Sequence, residues 1–175
     1  MRIFLVILTS FLMVACSARI EDYRNMQPAL DLQEYFDGNI TAWGQFQDRS
    51  GMVIKRFRVD MTGTWVGNEG TLDERFTYDD GSTQQRIWKI KKHDNGRYTG
   101  RADDVIGEAE GMAAGPALQW SYTLALPVDG KIYNVRFNDW MYLHDKHTMM
   151  NRAVMSKFGV KLGEITLTFR KEDSK

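Results

Sequence analysis

The 175-residue sequence contains one cysteine, Cys16, so no disulfide can form within the chain. Basic and acidic residues both number 23, and this balance gives no electrostatic reason to expect nucleic acid as a partner. The sequence lacks a P-loop, a dinucleotide fingerprint, a G-x-S-x-G elbow and an H-E-x-x-H motif. No common enzyme class is therefore indicated, and no cofactor is predicted.

Long apolar runs are also absent, apart from residues 3–15, which follow Arg2 and end in small residues before Cys16. A membrane-spanning helix needs about 20 apolar residues, so this shorter run is typical of an export signal. Its end is similar to a bacterial lipobox, which predicts a signal peptide over residues 1–15 and a membrane anchor through lipidated Cys16. Ser17, in place of Asp, favours the periplasmic face of the outer membrane by resemblance to enteric sorting signals. The alternative is a cleaved signal that leaves a free thiol.

The sequence predicts one domain after the anchor. Residues 16–27 are mostly polar and are predicted to form a tether, and residues 28–175 a single domain. Apolar and polar residues alternate over most of that domain, most clearly at 118–126, which is typical of strands. We predict an all-β antiparallel fold, an up-and-down barrel or strongly bent sheet of eight to ten strands. One short helix is expected within Pro28–Phe36.

Two turn sequences fix the pairing of strands. A two-residue turn at Asp129-Gly130 places Tyr122 opposite Phe137 and Trp120 opposite Asp139, so that two apolar faces coincide. A three-residue turn at Asp79-Asp80-Gly81 pairs further inward-facing residues. These pairs are Glu74 with Arg86 and Leu72 with Trp88.

Three of the inward-facing residues are charged: Glu74, Arg86 and Asp139. Because an unpaired buried charge is costly, two interpretations are open. Either Glu74 neutralises Arg86 while Asp139 accepts the indole N–H of Trp120, or the three groups fix the polar head of a ligand in an apolar cavity. The candidate ligand-binding residues are Glu74, Arg86, Trp88, Trp120, Tyr122, Phe137 and Asp139.

The histidines and the paired aspartates do not indicate a metal site or a catalytic site. His144 and His147 have helical spacing but lie in a predicted loop, and no metal site is expected. Asp103 and Asp104 point to opposite faces if they lie on a strand, so a turn or a single salt bridge is favoured over acid–base catalysis.

Several motifs resemble a family of small proteobacterial lipoproteins, the domain of unknown function 3833. They are Trp43-Gly44 with Asp48-Arg49-x-Gly51, Asp79-Asp80-Gly81 with Arg86-x-Trp88, the segment from Ala102 to Gly111, Asp139-Trp140-Met141, and the segment from Asn151 to Gly159. The resemblance implies a lipocalin-like architecture and a role connected with lipids. It implies no catalytic residue.

Two functions are therefore carried forward. The first is a non-enzymatic lipoprotein that binds a fatty acid, lipid or other amphiphile in a barrel cavity, with Arg86 meeting an acidic head group. The second is a structural or interaction lipoprotein with a filled core, which works through surface aromatics such as Trp140 and Tyr142 and an unknown protein partner. A cavity of several hundred Å³ would favour the first function, and a solid core the second.

Overall fold

The computed structural model describes residues 17–172 as an antiparallel β-barrel closed by pairing of the first strand with the last. Every strand pairs with its neighbours in sequence, which gives up-and-down order. The strands are β1 Gly38–Asp48, β2 Val53–Val66, β3 Glu69–Tyr78, β4 Thr83–Lys92, β5 Arg97–Arg101, β6 Ala109–Ala114, β7 Ala117–Val128, β8 Lys131–Leu143, β9 Thr148–Lys157 and β10 Val160–Lys171. The predicted all-β barrel of eight to ten strands is confirmed. The predicted signal peptide and Cys16 lie outside the described residues.

The barrel follows from alternation along each strand. On β2, Val59 and Met61 are buried and face inward, whereas Arg58 and Asp60 are exposed. The predicted registers are confirmed: Tyr122 pairs with Phe137 and Trp120 with Asp139, while Glu74 pairs with Arg86 and Leu72 with Trp88. These pairs bring the predicted site residues to one interior.

One end of the barrel, the closed end, is covered by the helix α1, Leu32–Phe36. It is shorter than predicted because the Asp31 side chain accepts the Gln33 N–H at 2.9 Å and caps the helix there, so Pro28 lies outside it. At Gly63 the backbone of β2 lies so close to the Phe36 carbonyl that a Cβ would be 1.5 Å from its oxygen. The opposite end, the open end, carries the turns that follow β1, β3, β7 and β9.

Two short strands interrupt the wall towards the open end. β5 and β6 are only five and six residues long, so β4 and β7 extend beyond them. The segment of residues 102–108 fills this gap. The Ala125 N–H donates to the Asp104 carbonyl, and the Ile106 N–H donates to the Thr123 carbonyl, both at 2.8 Å. These bonds attach the segment to β7.

Part of the predicted tether packs on the barrel. Ile20 is buried, in a 3-10 turn that spans Ile20–Tyr23. The Tyr23 ring lies 5.9 Å from Trp140 and 5.7 Å from Tyr142, centroid to centroid. This aromatic face of β8 is therefore covered, at least in part, by the chain's own N-terminal segment.

Candidate functional site

The interior holds a cavity of about 120 Å³. Leu32 and Phe36 of α1 form its floor, and inward-facing side chains of the strands form its wall. Phe57 and Phe76, towards the open end, are only partly buried and form its mouth. Most of the remaining lining is apolar, and its polar members are Glu74, Arg86, Tyr122, Asp139 and Asn151.

Six of the seven predicted ligand-binding residues line this cavity: Glu74, Arg86, Trp88, Trp120, Tyr122 and Asp139. Trp88 lies edge-on to both Trp120 and Tyr122, with ring centroids 5.8 Å and 5.4 Å apart. The seventh residue, Phe137, is not among the lining residues. Its ring stacks on Tyr122 at 5.0 Å and supports that ring.

Arg86 has a closer partner than the predicted one. Its Nε lies 2.9 Å from Asp104 Oδ2 and its Nη2 lies 2.7 Å from the same oxygen. The expected contact with Glu74 is present but longer, 3.9 Å from Nη1 to Oε2. Asp104 therefore belongs to the site. The one indication of this in the sequence is the expected turn or single salt bridge at Asp103-Asp104.

Two carboxyl oxygens in the cavity wall lack hydrogen-bond donors among the described residues, Glu74 Oε2 and Asp139 Oδ1. The predicted bond from the Trp120 indole to Asp139 does not form in the part of the chain that the structure describes. Burial raises the pKa of Glu74 to about 7, although Arg86 acts in the opposite direction. Burial also raises the pKa of Asp139 to about 7, against the opposing effects of Arg86 and the Tyr122 hydroxyl.

The charges do not favour an anion. Burial lowers the pKa of Arg86, but Glu74 and Asp104 raise it above its usual value, so the guanidinium stays protonated. Against this single cation stand three acidic groups: Glu74, Asp104 and Asp139. The cluster is therefore neutral when Glu74 and Asp139 are both protonated, and negative otherwise. It offers acceptors to a cation or to a neutral N–H or O–H donor.

The histidines lie away from this cavity. His93 contacts the Thr99 hydroxyl at 3.0 Å, and His144 and His147 lie at the β8–β9 connection, as the sequence indicates. Within residues 17–172, no group of three or more His, Cys, Asp or Glu side chains could hold a metal ion. No helix in the same range has the length and apolar character to cross a bilayer.

Comparisons with known proteins address the family and the fold. The sequence model of a family described as "Protein of unknown function (DUF3833)" matches residues 10–171. No curated protein matches the chain. The S-type phycobiliprotein lyase CPES from Guillardia theta is similar in structure, with a TM-score of 0.60 and 9% identity over 90% of this chain and 100% of that one. A de novo designed fluorescence-activating β-barrel gives a TM-score of 0.44 and 15% identity over 82% of this chain and 99% of that one. At 9% identity the similarity to the lyase shows the fold alone.

Proposed function

The chain belongs to the DUF3833 family, and we propose that its barrel binds a small amphiphile whose polar head donates hydrogen bonds inside the cavity. The observation that carries this proposal is a pair of buried carboxyl oxygens that accept no hydrogen bond within residues 17–172, Glu74 Oε2 and Asp139 Oδ1. A buried acceptor left without a donor costs about 1–3 kcal/mol. A ligand that supplies two N–H or O–H groups removes that cost.

The size of the cavity limits what enters it. Its volume of about 120 Å³ is well below the several hundred that would hold a whole lipid. A dry protein cavity of about 150 Å³ accommodates a benzene molecule. We infer that only the head and the first carbons of an amphiphile fit between Trp88 and Trp120. The rest of the ligand lies at the mouth, against Phe57 and Phe76.

Charge selects among the amphiphiles. The sequence suggests a fatty acid, lipid or other amphiphile whose acidic head group meets Arg86, but Asp104 already binds that guanidinium through two nitrogen atoms. A second carboxylate would also face Glu74 and Asp139, both buried acids. An amine or alcohol head avoids this repulsion and can donate to Glu74 Oε2 and Asp139 Oδ1, which accept no hydrogen bond within the described residues. We therefore propose an amine, amide or hydroxyl head in place of an acidic one.

Chain-matched probes test this choice. Dodecylamine, dodecanol and dodecanoic acid are titrated below their micellar concentrations at pH 8, and binding is followed by the tryptophan emission of the chain, to which Trp88 and Trp120 in the cavity wall contribute. One charge-assisted hydrogen bond contributes about 1.5–3 kcal/mol, so the amine is expected to bind about tenfold or more tightly than the acid. Equal affinities, or tighter binding of the acid, contradict the proposed head group.

Matched variants separate binding inside the barrel from adsorption to its surface. Ala153, buried beside Asp139 in the cavity wall, is changed to Leu to fill the space. Thr64→Leu adds a similar side chain on the exposed face of β2 and serves as the control. We expect Ala153→Leu to abolish probe binding while the control variant retains it. Loss of binding in both variants, or in neither, argues against the cavity as the binding site.

The small cavity also supports a second candidate function, an interaction protein with a filled core. Its volume of about 120 Å³ lies closer to a packing defect than to a lipid pocket. In that case no probe binds, native mass spectrometry of the protein from a bacterial extract gives the bare chain mass, and Ala153→Leu stabilises the fold without other effect. A co-purifying amphiphile in the same spectrum favours the first function.

We further propose that Cys16 carries lipid after removal of residues 1–15 and that the protein lies at the periplasmic face of the outer membrane. The support is the lipobox-like end of the apolar run and the Ser that follows the cysteine. Labelling with a palmitate analogue, followed by membrane fractionation, tests both statements. Label on the wild type that is lost in Cys16→Ala is the expected result. Label that survives the substitution contradicts it.

A further inference from the structure

The open end exposes large apolar side chains on three of its turns. Phe158 is 95% exposed, Ile132 71% and Met52 61%. Four further residues of these turns are at least two-fifths exposed, and all seven together are called the apolar rim. Its members are Met52, Val53, Ile54, Val128, Ile132, Phe158 and Val160.

The three turns are neighbours around the barrel. They join β1 to β2, β7 to β8 and β9 to β10, and the pairing of β8 with β9 and of β10 with β1 places them side by side. The rim is therefore one continuous arc beside the mouth of the cavity. The turns of the closed end differ, since their one exposed large apolar residue in the described structure is Val66.

Phe158 is also held in an unfavourable backbone conformation. Its φ is 50°, in the two-residue turn between the paired residues Lys157 and Val160. A bulky side chain rarely adopts a positive φ, and Asn or Gly normally occupies this turn position. A phenylalanine here is both strained and almost fully exposed, which neither turn formation nor core packing explains.

The charges of the rim differ from those of the rest of the open end. Residues 49–56, 128–132 and 157–161 contain six basic residues and one acidic residue, Asp129. Residues 79–82 and 102–108 contain five acidic residues and no basic one. Two of the six cations, Lys55 and Arg56, pair with Asp80 and Asp79 at the boundary between the two sides, and a third, Lys161, pairs with Glu164 of β10. The apolar arc is therefore also the basic side of the open end.

We propose that the apolar rim inserts into the interfacial layer of an anionic lipid bilayer and brings the mouth of the barrel against the membrane. Separate apolar tips flanked by lysine and arginine suit a surface that has a hydrocarbon interior and negative head groups. This contact is distinct from the lipid anchor proposed at Cys16. It stands independently of any ligand in the cavity.

Site-specific fluorescence tests the proposal in the full chain. Cys16→Ser removes the native thiol, and Phe158→Cys or Val66→Cys then carries an environment-sensitive fluorophore at the open or the closed end. Vesicles of phosphatidylglycerol and phosphatidylcholine are compared with vesicles of phosphatidylcholine alone. Both labelled proteins share every other segment that could touch a membrane, so a difference between them reports on the rim.

On the anionic vesicles the label at position 158 is expected to shift to the blue and brighten severalfold, while the label at position 66 does not change. A silent label at position 158, or equal responses at both positions, overturns the proposal. Protection of position 158 by a co-purified protein, without any response to vesicles, also overturns it and points to a protein partner.

A second variant distinguishes insertion from a structural role of Phe158. Asn tolerates the left-handed backbone, so Phe158→Asn is expected to fold as stably as the wild type or more so. With the label moved to Ile132→Cys, the same substitution is expected to weaken the vesicle response roughly five- to tenfold. An unchanged response with unchanged stability means that Phe158 does not contact the bilayer.

Discussion

Asp104 binds Arg86 across the gap that the short strands β5 and β6 leave in the barrel wall. The guanidinium on β4 donates from Nε and Nη2 to one carboxylate of the 102–108 segment, whose backbone is bonded to β7 on its other side. This ion pair therefore joins β4 to β7 through a segment without regular structure. It also occupies the cation that would otherwise attract an anionic ligand.

Breaking this ion pair is expected to be costly. Arg86→Met leaves Asp104 and Glu74 without their cation, and we expect the free energy of unfolding to fall by about 3–5 kcal/mol. Arg75→Met, which removes the exposed contact of 3.0 Å with Asp73, is the matched control and is expected to cost less than about 1 kcal/mol. Urea denaturation of both variants measures the difference. Similar costs would show that the Arg86 pair behaves as an ordinary surface contact.

The buried acids predict that the free energy of unfolding falls as the pH rises. In the folded chain the pKa of Glu74 is about 7, against an ordinary value of 4.5, so the folded state holds a proton that the unfolded state releases. The stability that this proton contributes is complete below the unfolded pKa and is lost as the pH rises towards 7. One pKa unit corresponds to about 1.4 kcal/mol, so the loss approaches about 3 kcal/mol. The midpoint of denaturation is therefore expected to fall as the pH is raised from 4 to 8.

Neutral variants of the same acids provide the control for that pH dependence. Glu74→Gln and Asp139→Asn remove the group that must ionise, so each is expected to flatten part of the curve and to be more stable than the wild type at pH 8. The two acids influence each other's pKa, so their effects are expected to be less than additive. If stability falls with pH as steeply in the double variant as in the wild type, other residues cause the pH dependence.

Two glycines make room for the Trp120 ring. A Cβ on Gly111 would lie 2.3 Å from the ring, and a Cβ on Gly100 would lie 2.8 Å from it. We expect Gly111→Ala to force the indole towards the cavity and to cost about 1–3 kcal/mol. Near-ultraviolet circular dichroism reports the ring, and thermal unfolding reports the stability. Adding Trp120→Phe is expected to recover part of the loss, whereas strictly additive losses would place the strain elsewhere.

The side chain of Asp31 caps α1, the helix that covers the closed end. Asp31 accepts from the Gln33 N–H and also pairs with Lys92 of β4. Asp31→Ala loses both contacts, and we expect it to destabilise the chain by about 1–2 kcal/mol and to speed tryptic cleavage at Arg24. Asp31→Asn keeps the cap and is expected to lie between Ala and the wild type. Equal cleavage rates in all three proteins would mean that the cap does not control the covering of this end.

The sequence predicts those parts of the fold that short turns determine. Asp129-Gly130 sets twelve cross-strand pairs of β7 and β8, including Trp120 with Asp139, because a two-residue turn permits one register. The partner of Arg86 is different. Asp104 lies in an irregular segment, and its distance from β4 depends on the closure of the whole barrel.

The cavity volume and two side-chain roles also depend on that closure. Phe137 is buried as its register requires, yet its ring stacks on Tyr122 and does not line the cavity. The indole of Trp120 lies opposite Asp139 without a hydrogen bond to it in the described structure. These side-chain positions depend on how the side chains of all ten strands pack together. The register of one pair of strands does not determine them.

Because β1 pairs with β10, the barrel closes only after its last strand has been synthesised. Translation delivers β1, residues 38–48, before the other strands and β10, residues 160–171, after them, so one edge of β1 stays unpaired until all ten strands have been made. A contact between such distant residues forms late and slowly. The ring therefore stays open along one edge of β1 until the last of the ten strands has been made.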